Sequence, residues 1–231
     1  MRDISLPPLF TATPVASDPF GAARDKATLG CDAGLVTYHL SNDRMQAAIV
    51  FAPEVPLRDA MAILPICGVG FQNALGALAP PEVGVHLDWD GAIRLNGGTC
   101  GHLQAACSHN DPTQEPDWLI IGLDLRIWPD NAETGLTPDQ TALFSEGCAE
   151  VDVNDLLEAW VRHTLVWVNR WSDEGAAPLH KEWSGIAHGI GQAVEKADLS
   201  GEFLGIDEHF GMLLRDGANT HMIPLTHLLE A

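Results

Sequence analysis

The sequence predicts an α+β protein with one main domain and a small β-barrel at its C-terminus. Three observations lead to this fold class. Strand-like segments separated by short turns run from residue 83 to residue 127, an amphipathic helix pattern follows, and about 40 residues at the end have the pattern of short strands at hairpin spacing. A chain of 231 residues with 46% hydrophobic content is long enough to bury the core of such a domain.

The first part of the chain predicts a helix followed by a β-hairpin. A helix is expected over Ser17–Leu29, because Gly30 suits the residue that follows a helix end. The runs Leu35–Leu40 and Ala47–Phe51 are apolar and rich in β-formers, which favours strands. Only the polar residues 41–46 separate these runs, so a hairpin is the expected connection.

The middle of the chain predicts a long apolar helix and then a β meander. Leu57–Leu78 is apolar and contains Pro65, so the helix is expected to start or kink near that proline. Asn96, Gly97 and Gly98 tolerate positive φ and predict a tight turn within the meander. The expected strands of the meander are Val83–Trp89, Ile93–Leu95, Thr99–Cys107 and Trp118–Ile127.

The remainder of the chain predicts helices followed by short strands. In Asp152–Trp171 large apolar residues recur at spacings of three and four, which predicts an amphipathic helix with its tryptophans in the core. The other expected elements are a loop over Pro129–Pro138, a short helix over Asp139–Gly147, a helix around Trp183, and strands over Glu202–Ile206, Gly211–Leu214 and His221–Leu225.

The charge of the chain argues against several classes of partner. Its formal net charge is −20, from 32 acidic and 12 basic residues, and its only lysines are Lys26, Lys181 and Lys196. Nucleic acids, anionic lipids and polyphosphates need Lys or Arg to neutralise their phosphates. We therefore expect no nucleic-acid partner and no ATP binding.

The termini and the cysteines predict a cytoplasmic protein. The N-terminal residues lack the pattern of a secretory signal, and no apolar run is expected to be long enough to cross a membrane. We therefore expect no membrane partner. The cysteines are odd in number and scattered, which favours reduced thiols over a disulfide framework; they are Cys31, Cys67, Cys100, Cys107 and Cys148.

Four segments, taken in order along the chain, resemble biotin and lipoate protein ligases. The segment Val85–Leu103 reads VHLDWDGAIRLNGGTCGHL and is similar to the ligase region that reads KWPND, with Trp89 and Asp90 at the start of the motif and Gly101 at the glycine after the family lysine. The other three are Asp117–Ile127, like the family's next strand, Asp155–Trp183, like the helix and turn before its C-terminal domain, and Gly201–Leu214, like its SH3-like barrel hairpin.

The resemblance implies a fold, a ligand site and a ligand class. The fold is a mixed sheet with helices, as in class II synthetases, over residues 1–188, followed by an SH3-like β-barrel over residues 189–231. The candidate ligands are biotin and lipoate. The site residues that the resemblance implies are Trp89, Asp90, Asn96, Gly97, Gly98, Thr99, Cys100 and Gly101.

The chain departs from the family at two features on which ligation depends. Family ligases carry a Gly- and Arg-rich loop that folds over the acyl adenylate, but residues 41–46 read SNDRMQ and contain no glycine. Where the family lysine is expected, this chain has Gly98 or Thr99. A fixed ammonium stabilises the charge that builds up during adenylation, and a neutral hydroxyl supplies a much weaker interaction. ATP-dependent ligation is therefore not expected.

Three functions follow from these observations. The leading hypothesis is a ligase-like protein without ligase turnover that binds a small acyl or heterocyclic ligand, such as a small carboxylic acid. The second is an active transferase or ligase with a non-standard catalytic residue, for which Arg94, Thr99 and Cys148 are the candidates. Arg94 is expected to be solvated on its strand, and Cys148 to be a small buried residue. The third is an interaction module whose acidic surface and barrel recognise a protein partner.

One further constellation has residue types that bind metals. The segment from residue 100 to residue 109 contains two cysteines and two histidines at alternating spacing, namely Cys100, Cys107, His102 and His109. Zinc sites need four convergent donors, and their usual sequence spacings are tighter and lie in turns. The sequence therefore predicts no metal site.

Overall fold

The main domain is built on a seven-stranded mixed sheet. The structure is a computed structural model that describes residues 3–129 and 137–230. In chain order the strands are β1 Thr11–Pro14, β2 Leu35–Leu40, β3 Arg44–Phe51, β4 Val85–Leu87, β5 Ala92–Leu95, β6 Gly98–Cys107 and β7 Leu119–Arg126. Their order in the sheet is β1-β2-β3-β7-β6-β5-β4. Strand β1 is parallel to β2 and the other neighbours are antiparallel, so the predicted hairpin and meander are confirmed.

Helix α1, Pro19–Thr28, covers one side of the sheet. Asp18 caps its N-terminus by accepting a hydrogen bond from the Gly21 main-chain N–H. The helix predicted over this stretch is thereby confirmed. Phe20 and two alanines of α1 form a small core with the residues beneath them, namely Ala48, Val50, Ala106 and Ile120.

Four helices of the described chain lie on the other side of the sheet. They are α2 Leu57–Ala60, α3 Ile63–Leu78, α4 Val153–Glu174 and α5 Ala177–Ile186. The predicted helix over residues 57–78 is therefore split, and Pro65 lies in the first turn of α3, where its missing N–H breaks no helical bond. In α4, Trp160 and Trp167 are buried and donate their indole N–H groups to Cys67 O and Asn73 Oδ1, which confirms the predicted core position for these two. Trp171, near the end of the helix, is only partly buried, so the prediction does not hold for that residue.

The segment that contains α2 and α3 needs a correction on membrane crossing. Leu57–Leu78 has 22 residues and contains an 18-residue stretch with a mean hydropathy of 1.5, so by length and composition alone it is long and apolar enough to cross a membrane. The expectation that no run is long and apolar enough is therefore wrong for this segment. Of that 18-residue stretch, 72% is buried inside the protein, as expected for a core helix.

The segment between β7 and α4 also differs from the prediction. Among the described residues of this segment only Phe144–Glu146 is helical, as a single 3-10 turn, so the helix predicted over Asp139–Gly147 is wrong. The reason is that Asp139 O and Thr141 N bond to the main chain of Thr99 at 2.8 and 3.0 Å, which holds this stretch extended beside β6. The loop predicted over residues 129–138 lies mostly outside the described residues.

A separate antiparallel sheet follows the main domain. Its strands are β8 Ala193–Lys196, β9 Leu199–Ile206, β10 Met212–Asp216 and β11 Asn219–Ile223, in the order β11-β10-β9-β8. Strands β9 and β10 form the hairpin predicted between Gly205 and Gly211. The sheet is consistent with a small barrel-like domain, and its assignment to SH3-like barrels stays a prediction. Sequence reasoning missed β8, which is short and half polar.

Candidate functional site

The α1 side of the sheet has a polar end beside the turn between β2 and β3. There Asp124 on β7 accepts hydrogen bonds from Arg44 Nη1 at 2.9 Å and from Gln46 Nε2 at 2.8 Å, both on β3. The turn itself, residues 41–43, is too short to fold over this face of the sheet. The arginine of the SNDRMQ stretch is therefore held by a carboxylate of the protein itself.

The turn between β5 and β6 consists of Asn96 and Gly97 as predicted, whereas Gly98, also predicted in the turn, is the first residue of β6. Asn96 and Gly97 adopt positive φ angles of 48° and 97°. The Asn96 side chain accepts a hydrogen bond from Gly84 N at 2.9 Å and donates one to Glu146 Oε2 at 2.7 Å. Gly98 starts β6 against Thr141, since an added Cβ would lie 3.0 Å from Thr141 Cβ. The turn is thus packed against the stretch that precedes α4.

The first residues of β6 are held tightly by their neighbours. Thr99 O accepts a hydrogen bond from Arg126 Nη1 at 3.2 Å. Cys100 is fully buried, and burial raises the pKa of its thiol to about 12, so the thiol is neutral at physiological pH. Gly101 has no room for a side chain, because an added Cβ would lie 2.3 Å from Asp124 O.

Trp89 and Asp90 face the C-terminal sheet. Trp89 is 4% exposed and donates its indole N–H to Phe210 O at 2.8 Å. Asp90 Oδ2 forms an ion pair with Lys196 of β8. Asp90 Oδ1 is buried and has no hydrogen-bond partner among the described residues. These two predicted ligand residues therefore join the hairpin to the C-terminal domain.

Arg94 was expected to be solvated, but in the structure it is paired with a carboxylate. Its Nε and Nη2 atoms donate to both oxygens of Asp88 at 2.8 to 3.0 Å, and Nη1 donates to Gly97 O at 3.0 Å. Only 21% of its side chain is exposed. The hydrogen bonds to Asp88 raise the pKa of Arg94, which stays charged at every physiological pH.

His188 extends this ion pair into a cluster of three side chains. Its Nδ1 lies 3.0 Å from Asp88 Oδ1, and its main-chain N–H donates to Leu87 O at 2.8 Å. Because an ionised carboxylate only accepts hydrogen bonds, this contact assigns the proton of the ring to Nδ1. In the neutral ring Nε2 is then left as an acceptor.

A cavity of about 310 Å³ lies between the hairpin and the C-terminal sheet, and we call it the interdomain cavity. Its polar wall includes Asp88, Arg94, His188 and Lys196. Its apolar wall consists of Trp89, Val194, Phe203 and Met212. The volume is at the lower end of the range of about 300–1,000 Å³ that small-molecule sites occupy. The structure thus brings two predicted site residues, Trp89 and Arg94, together with polar and apolar residues that sequence reasoning missed, among them Asp88, His188 and Lys196.

The remaining predicted chemistry involves thiols and metal ligands. Cys148 is 3% exposed, and burial raises the pKa of its thiol, so at neutral pH it is protonated and poorly nucleophilic. Its predicted position as a small buried residue is confirmed. Within residues 3–129 and 137–230 no three His, Cys, Asp or Glu side chains come together as a metal site.

Comparisons with known proteins agree with this fold. Residues 6–185 match the model of the Biotin/lipoate A/B protein ligase family. The chain belongs to this family. Residues 190–231 match a domain of unknown function, DUF4444. A search of curated proteins found no match for this ligase-family protein.

Solved structures include a near relative and more distant ligases. A biotin protein ligase-like protein of unknown function from Silicibacter sp. TM1040 is 57% identical, with a TM-score of 0.94 over 99% of this chain and 100% of that one. A mutant of the Aquifex aeolicus biotin protein ligase, in complex with biotin, is 12% identical, with a TM-score of 0.72 over 92% of this chain and 94% of that one. The Leishmania major biotin protein ligase, also in complex with biotin, is 14% identical, with a TM-score of 0.59 over 94% of this chain and 98% of that one. The ligase comparisons show the fold alone.

Proposed function

We propose that this family member binds a small carboxylic acid in the interdomain cavity and does not ligate it. The observation that carries the proposal is the two-sided wall of this cavity. Lys196, which also pairs with Asp90, offers an ammonium to a carboxylate, while Phe203 and Met212 offer apolar contact to an acyl or heterocyclic body. Biotin, lipoate and octanoate have this two-part chemistry.

The proposed lack of ligation rests on the cations of the chain. The sequence has no lysine between Lys26 and Lys181. Near the hairpin, Arg94 is bonded to Asp88, and at the polar end of the sheet Arg44 is bonded to Asp124. A triphosphate would have to compete with these carboxylates within a protein of net charge −20.

Thermal unfolding with candidate ligands tests the binding proposal. We expect biotin, lipoate or octanoate to raise the Tm, because a ligand at about 100 times its Kd stabilises the native state by about 2.7 kcal/mol. ATP with Mg²⁺ should leave the Tm unchanged. The variant Lys196→Met should lose the response, whereas Lys181→Met, on the exposed side of α5, should keep it. A response that survives in Lys196→Met would move the ligand to another site, and no response to any acid would refute the proposal.

Restoring a lysine at the hairpin should not restore ligation. We expect Gly98→Lys and Thr99→Lys, like the unchanged protein, to give no ATP-dependent labelling of a biotin or lipoate carrier domain. The turn of residues 41–43 remains too short to cover an adenylate in these variants, and the parts of a catalytic site act non-additively. Carrier labelling above a control without enzyme, measured with an active ligase as reference, would contradict this expectation.

The two other functions have unequal support. A transferase that uses Cys148 or Arg94 gains none from the geometry, since the first is a buried neutral thiol and the second is bound to Asp88. The contact that Thr99 makes with Arg126 is through its main-chain O, which accepts a hydrogen bond from the guanidinium. An interaction module is favoured by one specific observation, an open apolar groove away from the interdomain cavity.

A further inference from the structure

An open groove of about 700 Å³ lies at the end of β3, and we call it the α4 groove. It is bounded by the end of β3, the start of α3, the last turns of α4 and the segment that precedes β1. None of its lining residues belongs to the interdomain cavity. Its apolar wall includes Leu9, Phe51, Ile63, Leu165, Val168 and Trp171.

The last turns of α4 present apolar side chains that the core covers only in part. The apolar stripe of this helix is fully buried up to Thr164, but Val168 and Trp171, which continue it, are only partly buried. Both line the α4 groove. An amphipathic helix normally buries its whole apolar stripe, so this end of the stripe is available to another molecule.

Leu9 adds a fixed apolar group at the edge of the groove. Its side chain is 88% exposed although its backbone adopts a φ of 75°, a conformation that is unfavourable for leucine. The neighbouring chain holds it there: Phe10 N donates to Pro7 O, and Gly34 packs so closely that an added Cβ would lie 2.1 Å from Leu9 O. The backbone of Leu9 is therefore held in place, with its exposed side chain at the edge of the groove.

The charge around the α4 groove is negative. Of the described residues that line it, Glu54 is the only ionisable one. Asp32 and Asp173 directly adjoin lining residues in the sequence, and all three carboxylates are exposed. Arg170, which adjoins Trp171, is the one cation in a corresponding position of the described chain, and it is paired with Glu174 at 3.2 Å. With a net charge of −20 for the whole chain, this groove attracts basic groups and repels acidic ones.

We propose that the α4 groove docks a helical segment of a partner protein that presents apolar residues on one face and lysines or arginines beside them. A docked helix fits better than an added strand, because β3 is paired with β2 and β7 on its two sides and offers no free edge. The acidic rim disfavours an anionic membrane surface and a second copy of this chain. This proposal does not depend on the proposed function of the interdomain cavity.

A fluorescent peptide tests the proposal on the full-length protein. The probe is a helical peptide of leucine and lysine, about five turns long, with the leucines on one face. Its affinity is measured by fluorescence anisotropy. We expect Ala52→Asp and Val168→Asp, both within the groove, to weaken binding about tenfold or more. Glu54→Lys should lower the affinity and also make the affinity less dependent on salt concentration.

Matched controls separate the groove from general attraction to an acidic protein. Val166→Asp changes an exposed residue of α4 that does not line the groove, and Glu150→Lys reverses an exposed charge elsewhere. Both should leave the affinity within about twofold. Ala52 is exposed, so Ala52→Asp keeps the test valid even when Val168→Asp fails to fold.

Several results would overturn the proposal. These are the absence of binding, equal weakening by the groove variants and their controls, and equal binding of a peptide with glutamates in place of the lysines. Concentration-dependent self-association in sedimentation that Ala52→Asp abolishes would assign the groove to a second copy of this chain instead.

Discussion

Replacing Trp89 by alanine is expected to lower the free energy of unfolding by about 3–5 kcal/mol. The ring is 4% exposed between the hairpin and the C-terminal sheet, and its indole N–H donates to Phe210 O. The substitution therefore removes a large buried surface and leaves Phe210 O without this donor. Urea unfolding followed by circular dichroism measures the loss.

Trp89→Phe serves as the matched control, because it keeps an aromatic ring but removes the indole N–H. Its loss should be clearly smaller, with a hydrogen-bond contribution of about 1 kcal/mol. Since Trp89 joins the two domains, limited proteolysis of Trp89→Ala should also become faster between α5 and β8. An alanine variant that is as stable as the phenylalanine variant would show that the ring contributes little to holding the two domains together.

Replacing Asp88 by alanine should have the second largest effect, a loss of about 2–4 kcal/mol in the free energy of unfolding. Asp88 accepts hydrogen bonds from Arg94 at two oxygens and contacts His188, and its side chain is only 20% exposed. Its removal leaves the half-buried Arg94 guanidinium without its hydrogen-bonded counter-ion and with only the charges of Asp90 and Asp139 near it, which costs more than the pair itself contributes. Chemical denaturation again measures the change.

The double variant Asp88→Ala with Arg94→Met controls for that uncompensated charge. It should be more stable than Asp88→Ala alone, because neither partner is then left unpaired. Equal losses in the single and double variants would show that the cost comes from the removed contacts and not from the remaining guanidinium.

Local patterns allowed most of the fold to be predicted. Strand β2 begins and ends at the predicted residues, Leu35 and Leu40, because a run of β-formers lies between turn-forming stretches. The turn at Asn96 and Gly97 needs positive φ, which these residue types tolerate. The 139–147 stretch was predicted wrongly because its structure depends on main-chain bonds to Thr99, which lies far earlier in the chain.

The interdomain cavity was harder to predict from the sequence, because the residues that line it are distant from one another in the chain. Arg94 was correctly placed opposite to Ile93 on β5, but its partner Asp88 lies just beyond β4, and their pairing required the register of two strands. That register was a usable signal, since His86 lies opposite Arg94 and Asp88 shares its face. For His188 no local signal exists, as it reaches the site through the packing of the chain after α5.

The bond between His188 N and Leu87 O has a consequence for the behaviour of the protein at high concentration. Strand β4 is the outermost strand of the large sheet and has three residues, and the parallel bridge from Leu87 to Ala187 lies along it. At the opposite margin β1 has four residues and ends in Pro14. Short, covered or proline-bearing edge strands give an incoming chain few free N–H and C=O groups to pair with. Both margins of the sheet are thus protected against edge-to-edge aggregation.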